Sequence, residues 1–370
     1  MLIIFFSSLP SLVLAVAIND LYSATVEVPD QNRKHRQQGF SLALAQVLIK
    51  TTGAKDIAAQ PGVSDALSQA SNYMVKYAYL PRPAIVEPIE SDGVPIEQNT
   101  PLSVQFAKAA IDDLMRKLDL PIWPANRPEL LIWVVEQTAS GYRFVDEADL
   151  PPELASTFKS RGQPFQLPLY DLNDQLALNA LAAWSLNEQQ LGDAAKRYGA
   201  DSWLVLRYSE VSSGAVRGSW YLAGRSGKLA GEGTVLNTLE SDSESAFLSR
   251  SIDQVVDRLA EQMAYFADAE ANLFRVVVEN INSFAAFSEL NHFLSGLEIV
   301  NGVKVRSIEG DTIILDLAME GESRVLLRAL NKESRLSRVT QLDNDSTTEL
   351  TSVAGPRTDT AAYFRWQAAR

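Results

Sequence analysis

The sequence predicts a mixed α/β protein of the α+β kind, with two mixed sheet-and-helix domains followed by a ferredoxin-like β-α-β-β-α unit. Three observations carry that expectation. At 370 residues the chain is longer than one ordinary core accommodates. Its 46% hydrophobic and 21% charged content is that of a folded chain. Strand-like alternation and helical apolar spacing also succeed one another along it, with proline and glycine at the joins.

In order, "LYSATVEVPD" alternates apolar and polar residues like a strand. Phe40, Ala43, Leu44, Val47 and Leu48 recur at helical spacing, and Gly53 marks the stop. A second helix is expected from Ser64, with Leu67, Ala70 and Met74 on one face. "PRPAIVEPIESDGVPIEQNTP" has too many prolines for regular structure and reads as an exposed acidic loop between two hairpin strands. "LSVQF" is the partner strand, and Ile111, Leu114, Met115 and Leu118 line an amphipathic helix.

"ELLIWVVEQ" is apolar without alternation, as a central strand should be. A helix near Glu153 to Ser160 and a strand at "FQLPLYDL" would complete a strand–helix–strand unit. Asn187 and Gln190 stand in capping-box positions for a helix that buries Leu191, Ala194 and Ala195. Three strands separated by glycine-rich turns follow: "GADSWLVLRYSEV", "VRGSWYLAG" and "LAGEGTVLNT". A long helix then carries Leu248, Ile252, Val255, Leu259, Met263 and Phe266 on one stripe.

The last unit reads as strand "FRVVVENI", a helix capped by Ser283, strand "VKVRSI", a tight turn at Glu309-Gly310-Asp311, strand "TIILDLAME", and a short helix with Val325, Leu326 and Leu330. The implied division is a signal peptide at 1–17, an N-terminal α+β domain at 18–122, a central α/β domain at 123–270, a ferredoxin-like domain at 271–337 and a flexible tail at 338–370.

Composition excludes several functions. A formal charge of -13, with no basic run longer than "RKHR", argues against nucleic acid as a partner. Cysteine is absent, which removes disulfides, thiolate catalysis and zinc–sulfur sites. Only His35 and His292 could serve a nucleophilic triad or a zinc site, and no G-x-S-x-G elbow accompanies them. Asp112-Asp113 has Arg116 and Lys117 one turn on, and reads as a solvated ion-paired face. No catalytic residue, cofactor or metal site is expected.

The first 17 residues carry no charge and end in Ala15-Val16-Ala17, a small-x-small pattern before the polar "INDLYS". They predict export to the periplasm with cleavage after Ala17, although the n-region lacks its usual Lys or Arg, and no membrane span remains afterwards.

The order of "LYSATVEV", "SLALAQVLIKTTG", "LPIWPANRPELLIWVV", "YGADSWLVLR" and "INSFAAFSELNHFLSGL" over about residues 20–336 resembles a bacterial envelope family, "domain of unknown function 2066". That resemblance implies an exported protein of gammaproteobacterial type, with no catalytic residue to transfer.

Two stretches stand out as candidate sites. In "LPIWPANRP", Pro121, Pro124 and Pro128 forbid a helix, Asn126 can close a turn, and Arg127 has five fixed donors for carbonyls or a carboxylate. We read Trp123, Asn126 and Arg127 as a rigid joint between domains, with a binding site as the alternative. Trp203 and Trp220 fall in strands, where core packing competes with a role as ligand-stacking platforms. The expected function is that of a non-enzymatic scaffold or accessory protein with an envelope protein as partner. A second reading stays open: a small-molecule or glycan binder, with or without hydrolase activity, using an interdomain cleft.

Overall fold

The computed structural model describes residues 21–81, 99–211, 214–224, 235–267, 272–339 and 361–367. The signal segment, nearly all of the acidic proline-rich loop and the glycine-rich turn "RSGKLAGEGT" after Gly224 lie outside them. Among the described residues are three sheets and ten α-helices in an α+β arrangement.

The first sheet is antiparallel, in the order β1-β3-β2, from β1 (Ser23–Val28), β2 (Met74–Tyr79) and β3 (Thr100–Phe106). Helix α1 (Arg33–Thr52) packs on it. The Asn32 side chain caps α1 by accepting from His35 N, and Gly53 ends it at φ 74°, a left-handed turn that glycine adopts without strain. The short α2 (Val63–Ser68) and then α3 (Lys108–Lys117) complete this part.

The central sheet runs β5-β4-β7-β8-β9, built from β4 (Leu130–Thr138), β5 (Gly141–Phe144), β7 (Ser202–Glu210), β8 (Val216–Gly224) and β9 (Val235–Ser241). The two-residue β6 (Phe165–Gln166) pairs parallel to the start of β4. Leu130 to Val135 are buried on both faces, which explains the unbroken apolar run. One face is covered by α4 (Pro152–Arg161) and α8 (Glu244–Met263). The other is covered by α6 (Ala180–Trp184) and α7 (Glu188–Arg197), with α5 (Leu172–Ala177) lying against α7.

"FQLPLYDL" is therefore not a strand beyond β6: Pro168 has no N–H for the ladder, and Asp171 caps α5 instead. Phe266 also departs from expectation, because α8 ends at Met263 and leaves it exposed.

The last sheet follows β10 (Asn272–Glu279), α9 (Phe284–Ser295), β11 (Val300–Glu309), β12 (Thr312–Met319), α10 (Ser323–Lys332) and β13 (Leu336–Arg338). The β-α-β-β-α series is present, but the expected flexible tail is corrected. Residues 361–366 form β14 (Ala361–Trp366), giving the order β11-β12-β10-β14-β13. Strand β14 runs parallel to β10 and antiparallel to β13, standing between them. Its alternation explains why: Ala362, Phe364 and Trp366 are buried in the core while Arg365 stays outside. Nor does this unit close a core of its own, since its buried residues are continuous with those of the first sheet, Ile122 and Tyr265 among them.

Candidate functional site: a clamped joint and an outward leucine strip

The joint begins where Ile122 and Tyr265 exchange backbone hydrogen bonds (2.7 and 3.0 Å), tying the chain after α3 to the chain after α8. Trp123 N then donates to Thr51 O at the end of α1 (2.8 Å), and its ring is buried against Gly53 and Ala260. A Cβ at Gly53 would lie 2.4 Å from Ala260 Cβ and 2.9 Å from the Trp123 ring, so this close approach requires glycine.

Arg127 is buried with its guanidinium 3.6 Å from the Trp123 ring centroid. It donates to four carbonyls: Pro124 (3.0 Å), Trp123 (3.0 Å), Lys50 at the end of α1 (2.6 Å) and Gly162 at the end of α4 (2.5 Å). A planar fork of fixed donors suits four diverging carbonyls, and a lysine would not. Burial pushes the Arg127 pKa down to about 9, opposed by the Glu298 carboxylate, so the group is charged at neutral pH. Two residues beyond the last sheet's α9 and in its α10 complete the clamp. Glu298 accepts from Ala125 N (2.7 Å), and Lys332 donates to Asn126 Oδ1 (3.1 Å) and Arg127 O (3.0 Å). The exposed Asn126 thus meets the last unit, while Trp123 and Arg127 face the first two.

A second buried guanidinium, Arg161, bonds Gly53 O (2.9 Å), Asp253 (2.6 Å) and Asp257 (2.5 Å), fastening α4 to α1 and α8. Sequence reasoning missed it, because a basic residue at a helix end is an ordinary surface feature.

Trp203 and Trp220 are buried on opposite faces of the central sheet, Trp203 under α6 and α7 and Trp220 under α8, where its indole N–H donates to Gln254 (2.8 Å). With both rings enclosed, neither is a stacking platform. Asp112 also departs from the solvated reading. It accepts from Lys108 (2.8 Å) and Tyr22 (3.2 Å) beside the joint, and Lys108, four residues before it, was the signal in the sequence.

The opposite pattern occurs at residues 169–181. Leu169, Leu172, Leu176 and Leu181 are 74, 70, 78 and 56% exposed, and no residue of α5 is buried. Polar contacts hold this helix in place. Asp171 caps it by accepting from Asp174 N (3.0 Å), Arg197 of α7 pairs with both Asp171 (2.5 Å) and Asp174, and Tyr198 donates to Asp174 (2.5 Å) while accepting from Leu169 N (2.9 Å). Arg197 holds the Asp171 carboxyl down to about 2, with the bond from Asp174 N assisting. Asp174 of α5 thus meets the protein while Leu172 and Leu176, one turn apart, meet solvent.

Against known proteins, the family model described as "Domain of unknown function (DUF8605)" matches residues 15–124, less than a third of the chain. This overturns the resemblance to "domain of unknown function 2066", for which no match is found. "LYSATVEV" and "SLALAQVLIKTTG", which carried it, fall inside the matched span and are an amphipathic strand and helix of common pattern. No curated protein matches. Nine solved chains do. One, described as "Crystal structure of uncharacterized protein", is 12% identical with a TM-score of 0.15, over 36% of this chain and 88% of that one. A likeness so slight bears on neither fold nor function. No helix among the described residues is long and apolar enough to cross a membrane.

Proposed function

We propose that this is an exported periplasmic protein without catalytic activity, a scaffold or accessory that binds another protein of the cell envelope through the leucine strip at 169–181. The observation that carries the reading is the reversed burial of α5. Four exposed leucines in thirteen residues are an apolar surface of the sort that partners cover. The polar network beneath holds the strip ready-made, so little ordering cost falls on binding. Export rests on the uncharged segment ending at Ala17.

Photo-crosslinking in cells tests the partner. A crosslinker at Leu172 or Leu176 is expected to give one discrete adduct in the periplasmic fraction, absent when the crosslinker stands at Lys304 and lost on adding Leu169→Ser. Adducts equal at all positions overturn the strip as an interface. Sequencing the mature N-terminus tests export: it should begin at Ile18, and an intact Met1 in the cytoplasm overturns it.

A further inference from the structure

Helix α1 lies on β1 and β3 and leaves β2 at one side of the first sheet. Among the described residues no strand pairs with the far edge of β2. Leu80 N donates to Pro101 O (2.9 Å), and the backbone groups of an antiparallel strand alternate in direction. Lys76 and Ala78 therefore turn theirs to β3, and Tyr77 and Tyr79 turn theirs to the open edge. Side chains beside this edge are open as well. Val75 is 60% exposed and Tyr77 42%, with the Tyr77 ring 5.1 Å from that of Phe40 in α1.

Charge beside the edge has one sign, in a chain whose net charge is -13. Arg36 stands 5.9 Å from the centre of the Tyr77 ring, and Arg33 lies one turn before it on the same helix face. Lys34 is the neighbour of Arg33, and Lys76 belongs to β2 itself. Among the described residues none of these four is ion-paired, and Asp30, the nearest acid in the sequence, is engaged by Asn32 and His35. Stability does not explain the cluster. Cations in the first turn of a helix oppose its dipole, and α1 has no acid there to offset them. One lysine is an ordinary guard for an edge strand, whereas three more cations on the adjoining helix exceed that need.

We propose that the open edge of β2 takes up an extended acidic segment of a partner protein as an added strand. The backbone groups of Tyr77 and Tyr79 supply the ladder, Val75 and the Tyr77 ring receive apolar side chains, and Arg33, Arg36 and Lys76 favour acidic ones. A ladder requires a peptide backbone. A nucleic acid would answer the charge alone, so the strand edge favours the peptide. This edge belongs to the first sheet and shares no residue with the leucine strip, so either stands without the other.

The full chain is titrated with the fluorescein-labelled peptide EVTVEVTE at about 0.15 M salt, following anisotropy. Saturable binding is expected, weakened at least tenfold for QVTVQVTQ. The peptides EVPVEVPE and EPTVEPTE lack the two alternating sets of backbone donors, so at least one of them should fail to bind. Oligothymidylate should not displace EVTVEVTE. Amide exchange at Tyr77 and Tyr79 should slow when the peptide is bound. The double variant Arg33→Glu, Lys76→Glu should bind EVTVEVTE at least tenfold more weakly without a lower melting temperature, since an acid suits the first turn of α1. No saturable binding of EVTVEVTE, equal binding of QVTVQVTQ or of both proline peptides, or displacement by oligothymidylate overturns the proposal. So does undiminished binding by the double variant, or unchanged exchange at Tyr77 and Tyr79.

Discussion

The joint at 122–128 and the strip at 169–181 invert one another. In the joint a charged group is buried with four of its five N–H donors bonded to carbonyls; in the strip apolar groups are exposed and a polar network lies beneath them. Both obey the same rule. Buried polar groups must be hydrogen-bonded, whereas nothing obliges an exposed leucine to be covered. Arg127 can sit inside because four carbonyls diverge toward it, and Leu172 and Leu176 can sit outside because Arg197 and Tyr198 fix the helix that carries them. The joint therefore holds stability in its side chains, while the strip holds very little.

Replacement at the joint should have the largest effect. Trp123→Ala is expected to cost about 3–5 kcal/mol, the penalty for emptying a buried indole site. Arg127→Ala should cost a similar amount by stranding Lys50 O and Gly162 O without a donor. Arg127→Lys should rescue little, since a point ammonium cannot reach four carbonyls. Denaturant melts check all three, and wild-type midpoints would remove the contrast. Leu178 sharpens it, being buried only two residues beyond the exposed Leu176. Leu178→Ala should cost about 2–5 kcal/mol.

Lys332→Ala comes next, at about 1 kcal/mol, since it removes the partly buried bond from α10 to Arg127 O. It should raise proteolysis at 124–128 more than it lowers the midpoint. Acid separates the two regions by a different route. Because Asp171 has its pKa lowered from 3.8 to about 2 in the folded chain, its contribution is whole above pH 4 and fades as the pH falls toward 2. Methyl resonances of Leu172 and Leu176 should shift across that window, before the Trp123 indole signal is lost. Simultaneous loss would mean that the strip has no anchorage of its own. The smallest effect belongs to Leu172→Ser and Leu176→Ser, each within about 0.5 kcal/mol of wild type, because neither side chain is covered.

Much of the fold was legible because periodicity reports burial. Ile313, Leu315, Leu317 and Met319 are the buried face of β12, and Asn187 and Ser283 cap their helices as their spacing suggests. What stayed hidden is what periodicity does not report. Strand β14 has a clean alternation, but it is six residues long and follows a long polar, aperiodic stretch. Helix α5 was hidden because "FQLPLYDL", which runs into it, reads as a strand. Proline chemistry and donor count draw attention to Trp123, Asn126 and Arg127 in the sequence. Nothing does so for Arg161, Glu298 and Lys332, because their partners are far away in the sequence.

The place of β14 sets an order of assembly. It leaves the ribosome after β10 and β13, yet it stands between them, so the sheet is finished from its interior and not at its rim. Until residues 361–366 arrive, two facing ladders of backbone donors and acceptors lie open, as does the space that Phe364 and Trp366 fill. A chain stopped at residue 339 would leave β10 with an open edge and β13 without the strand it pairs with. A free peptide "AAYFRW" supplied from outside carries the pairing that both lack.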